Sequence, residues 1–114
     1  MKITIIEING KKVEIQNEVS KERVIFQDIK IPKGWRLMTL QEGAYCYDNH
    51  EEMKIGYYNE WIKHYSKKMK KQGFCASLGG DWDFDRRLRV DGSRGGDGGG
   101  LGFRVRFARD VKDG

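Results

Sequence analysis

The sequence predicts an α+β domain, and three observations predict it. Two alternating apolar segments flank an Asn-Gly pair near the N-terminus. A middle stretch spaces its large apolar residues at helical intervals. Alternation then returns at the C-terminus after a glycine-rich segment. The expected architecture is an N-terminal β-hairpin, two helices, and C-terminal antiparallel strands.

The hairpin comes first. Ile3 to Ile8 and Lys11 to Gln16 flank Asn9-Gly10, a pair that tolerates the positive φ of a type I′ turn. Closure there sets Ile6 opposite Val13 and Thr4 opposite Ile15, so one face carries Ile6, Ile8, Val13 and Ile15. Residues 17–23 are polar and read as a turn. Val24 to Phe26 and Ile29 to Ile31 read as extended, with Pro32 keeping Ile31 out of the α region. Lys33-Gly34 turns the chain into Trp35-Arg36-Leu37-Met38.

Thr39-Leu40-Gln41-Glu42 is a capping box: Thr39 can accept from the Glu42 amide while Glu42 reaches back. It opens a short helix from Leu40 to about Tyr47, ending near Asp48-Asn49. A longer helix is expected over residues 51–72. Met53, Tyr57, Trp61, Tyr65 and Met69 recur every fourth position there, and Gly73 suits the position after a helix end. That aromatic stripe reads as core. Phe74 to Leu78 reads as a short strand. Leu101 to Phe107 alternates apolar with small or basic residues, a half-buried strand with Arg104 and Arg106 on its outer face.

The chain has 114 residues, the size of one domain, here residues 1–114. No apolar run approaches the roughly 20 residues that cross a bilayer, so membrane insertion is not expected. Met1 to Ile6 lacks the cleavage site of a signal peptide. Cys46 and Cys75 are too few for a disulfide framework and have no metal spacing; buried thiols are the favoured reading, with a bridge left open. Net charge is +5, and the excess falls in residues 51–73, which hold six Lys against three Glu. On a single helix this would be a solvated face.

After Gly73 the composition changes. Seven of the nine Arg follow it, twelve of the thirteen Lys precede it, and nine of the fifteen Gly lie between Gly79 and Gly102. Asp81-Trp82-Asp83-Phe84-Asp85 alternates carboxylates, but Arg86 stands where an EF-hand needs Gly and Gly92 where it needs Glu, so no metal site is expected. Residues 95–100 match neither the dinucleotide fingerprint nor the Walker pattern. Ser93-Arg94-Gly95-Gly96 is a single arginine-glycine element, and the sequence pI near 9.2 keeps a basic nucleic-acid-binding domain as an alternative, though nucleic acid is the less favoured partner. His50 and His64 have no nucleophile beside them in sequence, so no catalytic residue, cofactor or metal is expected. The glycine-rich segment is framed by Gly79-Gly80-Asp81-Trp82 and Leu101-Gly102-Phe103-Arg104, whose aromatics suit anchors more than a linker.

Those frames carry a resemblance. Leu78-Gly79-Gly80-Asp81-Trp82, Leu88-Arg89-Val90 and Leu101-Gly102-Phe103-Arg104-Val105 are similar to the "RGGSW … R … LGFR" signature of the formylglycine-generating-enzyme type of C-type lectin fold. Gly34 to Glu42 resembles that family's "RLPTEAEWEYA" segment. The likeness covers residues 34–107, with departures at Leu78, Asp81, Met38 and Gly43. Within the family, the chain is most similar to variable proteins of diversity-generating retroelements. These elements alter template adenines, so AAC codons become others ending in C. From Asp83 to Gly100 only Asp, Phe, Arg, Leu, Val, Gly and Ser occur, all encodable with a final C; Lys, Glu, Gln, Met and Trp are absent.

The resemblance implies a C-type-lectin-like fold with a variable region at about 78–107, and binding in place of turnover. The implied ligand-contacting positions are Asp83, Phe84, Asp85, Arg86, Asp91, Gly92, Ser93, Gly95, Gly96, Asp97, Gly98, Gly99 and Gly100. Trp82, Arg89, Leu101 and Phe103 would be scaffold. The implied partner is a protein or glycan on a host or target surface, with the protein itself on a virion or otherwise displayed. A viral or archaeal source suits the short, Lys- and Ile-rich chain. A formylglycine-generating-type enzyme remnant is the other alternative, but Cys46 and Cys75 do not match that family's copper-ligand positions, and the calcium-lectin E-P-N and W-N-D motifs are missing.

Overall fold

A computed structural model describes residues 2–55, 59–79, 88–97 and 100–112. Its described elements make an α+β architecture of two mixed or antiparallel four-stranded sheets and two helices. In chain order these are β1 (Ile3–Ile8), β2 (Lys11–Gln16), β3 (Arg36–Leu37), α1 (Leu40–Asp48), β4 (Glu60–Ile62), α2 (Lys67–Lys71), β5 (Cys75–Gly79), β6 (Arg89–Arg94), β7 (Arg104–Val105) and β8 (Phe107–Asp110).

The first sheet has the order β1-β2-β8-β3. Its hairpin closes as expected: Ile6 pairs with Val13 and Thr4 with Ile15, with Asn9 at φ 53° and Gly10 at φ 78° in the turn. Ile6, Val13 and Ile15 are buried. The last strand, β8, inserts between β2 and β3, so the two ends of the described chain meet in one sheet.

The capping box is present in full. The Thr39 hydroxyl accepts from the Glu42 amide at 3.2 Å, and Glu42 Oε1 accepts from the Thr39 amide at 2.9 Å. The same carboxylate takes a bidentate pair from Arg36 at 2.7 and 2.8 Å, and Arg36 also reaches Asp110 at 2.9 Å. One charge network therefore ties β3 to the start of α1 and to β8. Gly43 sits where a Cβ would lie 1.9 Å from Leu78 Cδ1. Its missing side chain lets α1 approach β5.

The long helix expected over residues 51–72 does not form. One turn beyond α1, the Ile55 amide donates to the His50 carbonyl and the Lys54 amide to the Glu51 carbonyl, with Lys54 at φ 52°. This is a Schellman stop, and it ends helical structure at Lys54. The chain then makes β4, whose three residues are all buried. A strand lying between two others in a covered sheet needs apolar groups on both faces, and Trp61-Ile62 supply them. Only after a loop does α2 begin, capped by Ser66, whose hydroxyl accepts from the Met69 amide at 3.1 Å. Gly73 closes α2 as expected, with Gly73 N–H donating to Lys70 and Phe74 N–H to Met69. Met53, Trp61 and Met69, at helical spacing, thus belong to three separate segments, each of which buries one of them. Tyr65, read as core, is 47% exposed; Tyr57 and Tyr58 lie outside the described residues.

The second sheet has the order β6-β5-β4-β7, with β4 and β7 parallel. Between β7 and β8 the chain passes from this sheet to the first. Arg106 occupies the crossing and is fully buried, which corrects its expected place on an outer face. Strict alternation fails there because the residue faces the space between two sheets. Arg106 Nε donates to Glu60 Oε1 at 2.9 Å, and its Nη1 to the carbonyls of Gln16 and Asn17 at 3.0 and 2.9 Å. Both members of the pair have side chains 0% exposed. Val24 to Phe26, expected to be extended, forms a single bridge at Val24 followed by a 3-10 turn over Phe26–Asp28.

Candidate functional site

The segment that sequence singled out runs from the end of β5, through the edge strand β6, to β7, all three strands of the second sheet. Its return is closely fixed. Val24 and Phe103 exchange both amide–carbonyl bonds, at 2.8 and 3.0 Å. Phe103 packs on the buried Trp61 ring at 4.6 Å between centroids, and Phe26 meets that ring edge-on at 5.4 Å. The Trp61 indole donates to the Val24 carbonyl at 2.7 Å. Arg23 Nε reaches the Gly102 carbonyl at 3.0 Å, and Ser20 brackets Val105 through its amide and hydroxyl at 2.9 and 3.0 Å.

This clamp explains the glycine of the Leu-Gly-Phe motif. Gly102 has φ +80°, and a Cβ there would stand 2.0 Å from the Val24 carbonyl oxygen. Backbone pressed on backbone leaves no room for a side chain. Leu101, named with the scaffold, is 69% exposed, and the packing falls to Phe103, which is 7% exposed. Arg89, also named with the scaffold, is exposed and pairs with Gly79 at the start of β6.

Among the expected ligand-contacting positions, the structure describes Asp91, Gly92, Ser93, Gly95, Gly96, Asp97 and Gly100. Asp83, Phe84, Asp85, Arg86, Gly98, Gly99 and the scaffold residue Trp82 lie outside the described residues. Asp91, Gly92 and Ser93 share β6, an edge strand of the second sheet. Asp91 Oδ1 accepts from the Ser93 amide and hydroxyl at 2.8 and 2.9 Å. Gly95, Asp97 and Gly100 are exposed on the following turn, where the Asp97 carbonyl accepts from the Gly100 and Gly102 amides at 3.0 and 2.7 Å. The Gly96 carbonyl accepts from Phe26 at 2.7 Å, so this turn is tied to the same core.

The described positions differ in what they would accept. A Cβ at Gly96 meets its nearest atoms at 3.7 Å (Phe26 Cβ) and 3.9 Å (Cys75 Sγ), ordinary contacts. At Gly92 it would stand 2.0 Å from the Tyr65 hydroxyl and 2.7 Å from Met69 Cε, so Tyr65 must swing away. Gly100 has φ +120°, which other residues adopt only with strain.

Tyr65 is therefore part of this surface, although its helical spacing in the sequence predicts a core position. A groove of about 470 Å3 runs between α2 and β6, with Tyr65, Lys68, Gln72 and Phe74 on one wall. Val90, Asp91, Gly92 and Ser93 form the other. Its absence from the sequence reading has a cause: nothing local announces that the Lys-rich stretch folds back beside β6.

The two cysteines are free and buried. Burial pushes the Cys46 thiol up to about 12 and raises the Cys75 thiol, the opposite of what an activated nucleophile or metal ligand needs. No group of three or more His, Cys, Asp or Glu is placed to hold a metal among the described residues. No described helix is long and apolar enough to cross a membrane. Comparison with protein-family models, curated proteins and solved structures finds no match to this chain.

Proposed function

We propose that this protein is a ligand-binding display protein on a C-type-lectin-like scaffold, its surface between β5 and β7 diversified by a retroelement. The observation that carries the proposal is the contrast at the boundary of that segment. Residues 83–100 draw only on types encodable with a final C, whereas the returning frame is held by packing that admits little change. At Gly102 a Cβ would press on the Val24 backbone at 2.0 Å, whereas at Gly95 and Gly96 inside the segment the nearest atoms lie at 3.4 and 3.7 Å. Side chains exchanged between such fixed ends alter contact chemistry while the ordering cost stays with the scaffold. The ligand is a protein or glycan on a target surface, and the site binds without turning over.

A displayed library tests this. Codons for the thirteen expected contact positions are replaced by those reachable from AAC, and a matched library varies Gly79, Gly102, Phe103 and Arg106. The first library should retain folded, protease-resistant chains in most members and yield binders to arrayed protein or glycan targets. Equal loss of folding in both libraries would sink the proposal.

A further inference from the structure

The geometry points to the groove between α2 and β6 as a site for an anionic saccharide, one bearing carboxylate or sulfate, with α2 as its unvarying wall. Three of the six exposed large hydrophobic side chains among the described residues gather at this groove: Tyr65 at 47%, Phe74 at 38% and Val90 at 43% exposed. Its volume of about 470 Å3 lies within the about 300–1,000 Å3 of small-ligand sites. Successive side chains of a strand point to opposite faces. A groove lined by four consecutive residues, Val90 to Ser93, therefore follows the strand's edge and its backbone groups.

The charge around it has one sign on one side. Residues 61–80 hold five Lys and no Asp or Glu. Lys67, Lys68, Lys70 and Lys71 are all exposed on α2. Because no long helix forms there, these lysines are not the solvated back of one. They crowd a five-residue helix that stands beside an aromatic groove. Lys67 and Lys70 also line a second hollow that meets the first at Tyr65 and Ser66.

The mixture selects the ligand class. The exposed rings of Tyr65 and Phe74 offer apolar surface for the C–H groups of a sugar ring. Gln72, Ser93 and Asp91 suit hydroxyls, and Lys68 suits an anionic substituent as a point charge. A nucleic-acid backbone is less well served, because its phosphates recur along the groove and meet Asp91, whereas a saccharide can set a hydroxyl at Asp91 and its acidic group at Lys68. Codons reached from AAC by changing adenines include Arg and His but not Lys, so the lysine wall is a fixed attraction beside a variable selector. In that last respect the inference rests on the display reading; the groove and its chemistry do not. Substitution at Gly92 would move Tyr65 and so reshape the groove directly.

The test titrates the intact chain with 3′-sialyllactose, a heparin-derived tetrasaccharide, neutral lactose, and single-stranded dA20, at near-physiological salt, by calorimetry and NMR. Binding of one of the acidic saccharides is expected, with lactose at least about tenfold weaker. Binding of 3′-sialyllactose shows that a carboxylate suffices, and binding of the heparin fragment alone assigns the preference to its sulfates. Lys68→Ala, on an exposed helical position, should weaken binding about fivefold, while Lys12→Ala on the hairpin should not. Tyr65→Ala should weaken it as well, with thermal unfolding recorded to confirm a folded chain. No binding by either acidic saccharide, equal loss with Lys12→Ala, or dA20 binding as tightly as the saccharides would overturn the assignment. Saccharide binding through Lys68 in a gene without a diversifying template would keep the site and discard the display reading. A template with no saccharide binding would do the reverse.

Discussion

Replacing Arg106 with Met tests the packing of the two sheets most severely. Arg106 and Glu60 are each 0% exposed in their side chains, and Arg106 also holds the carbonyls of Gln16 and Asn17. The Met side chain retains much of the volume and removes the charge. Glu60 is left as a carboxylate without its cation, a loss of about 3–5 kcal/mol for a broken buried pair. The abandoned carbonyls add about 1 kcal/mol or more if water does not reach them. Against the roughly 5–15 kcal/mol that stabilises a domain, this is a large fraction. The assay is equilibrium urea unfolding of Arg106→Met, Glu60→Leu and the double variant. Each single variant should be strongly destabilised, and the double variant should recover most of the loss, because no charge is then stranded. A single-variant loss under about 1 kcal/mol, or a double variant no better than the worse single, would refute the reasoning.

Three further outcomes are expected. Gly102→Ala should cost about 3 kcal/mol or more, from a Cβ pressed on the Val24 carbonyl in a positive-φ conformation, read as a drop in Tm; an unchanged Tm would discount the clamp. Cys46 and Cys75 should alkylate slowly in the folded chain at neutral pH and rapidly in denaturant, since burial raises both thiols. Arg36 holds the Asp110 carboxyl below its ordinary value, through a hydrogen bond first and charge second. A depressed carboxylate adds stability above its unfolded pKa of about 3.9 and loses it as pH falls through the folded value. Because Asp110 is 70% exposed, Asp110→Asn should cost only about 0.5 kcal/mol at neutral pH, with the difference from wild type vanishing in strong acid; a difference that grew on acidification would reverse the sign.

What was legible in the sequence was local. Asn9-Gly10 fixes the hairpin register because that turn admits one closure, and the period of two then decides which residues are buried. Thr39 and Glu42 announce a helix start because both capping partners lie within four residues. The middle of the chain was not legible, because its fourfold spacing arises from Met53, Trp61 and Met69 serving three segments. What stops the helix is Lys54 at positive φ, a conformation that lysine does not advertise. Glu60 and Arg106 read as surface residues because each is tolerable inside only through the other, 46 positions away. The segment proposed to vary stands out in the sequence by its residue types and its frames. The groove beside it does not, since it depends on α2 folding back next to β6.

The central claim, that residues between two fixed frames are exchanged to change what the surface binds, is tested most directly in the DNA. Sequencing the gene and its flanks across independent isolates should find a reverse-transcriptase gene and a near-copy of the segment's coding sequence. The copies should differ almost only where the template has adenine. Those differences should fall on the codons for residues 83–86, 91–93 and 95–100, sparing Gly79, Gly102 and Phe103. Variation spread evenly over bases and over both frames and segment, with no near-copy nearby, would contradict the account.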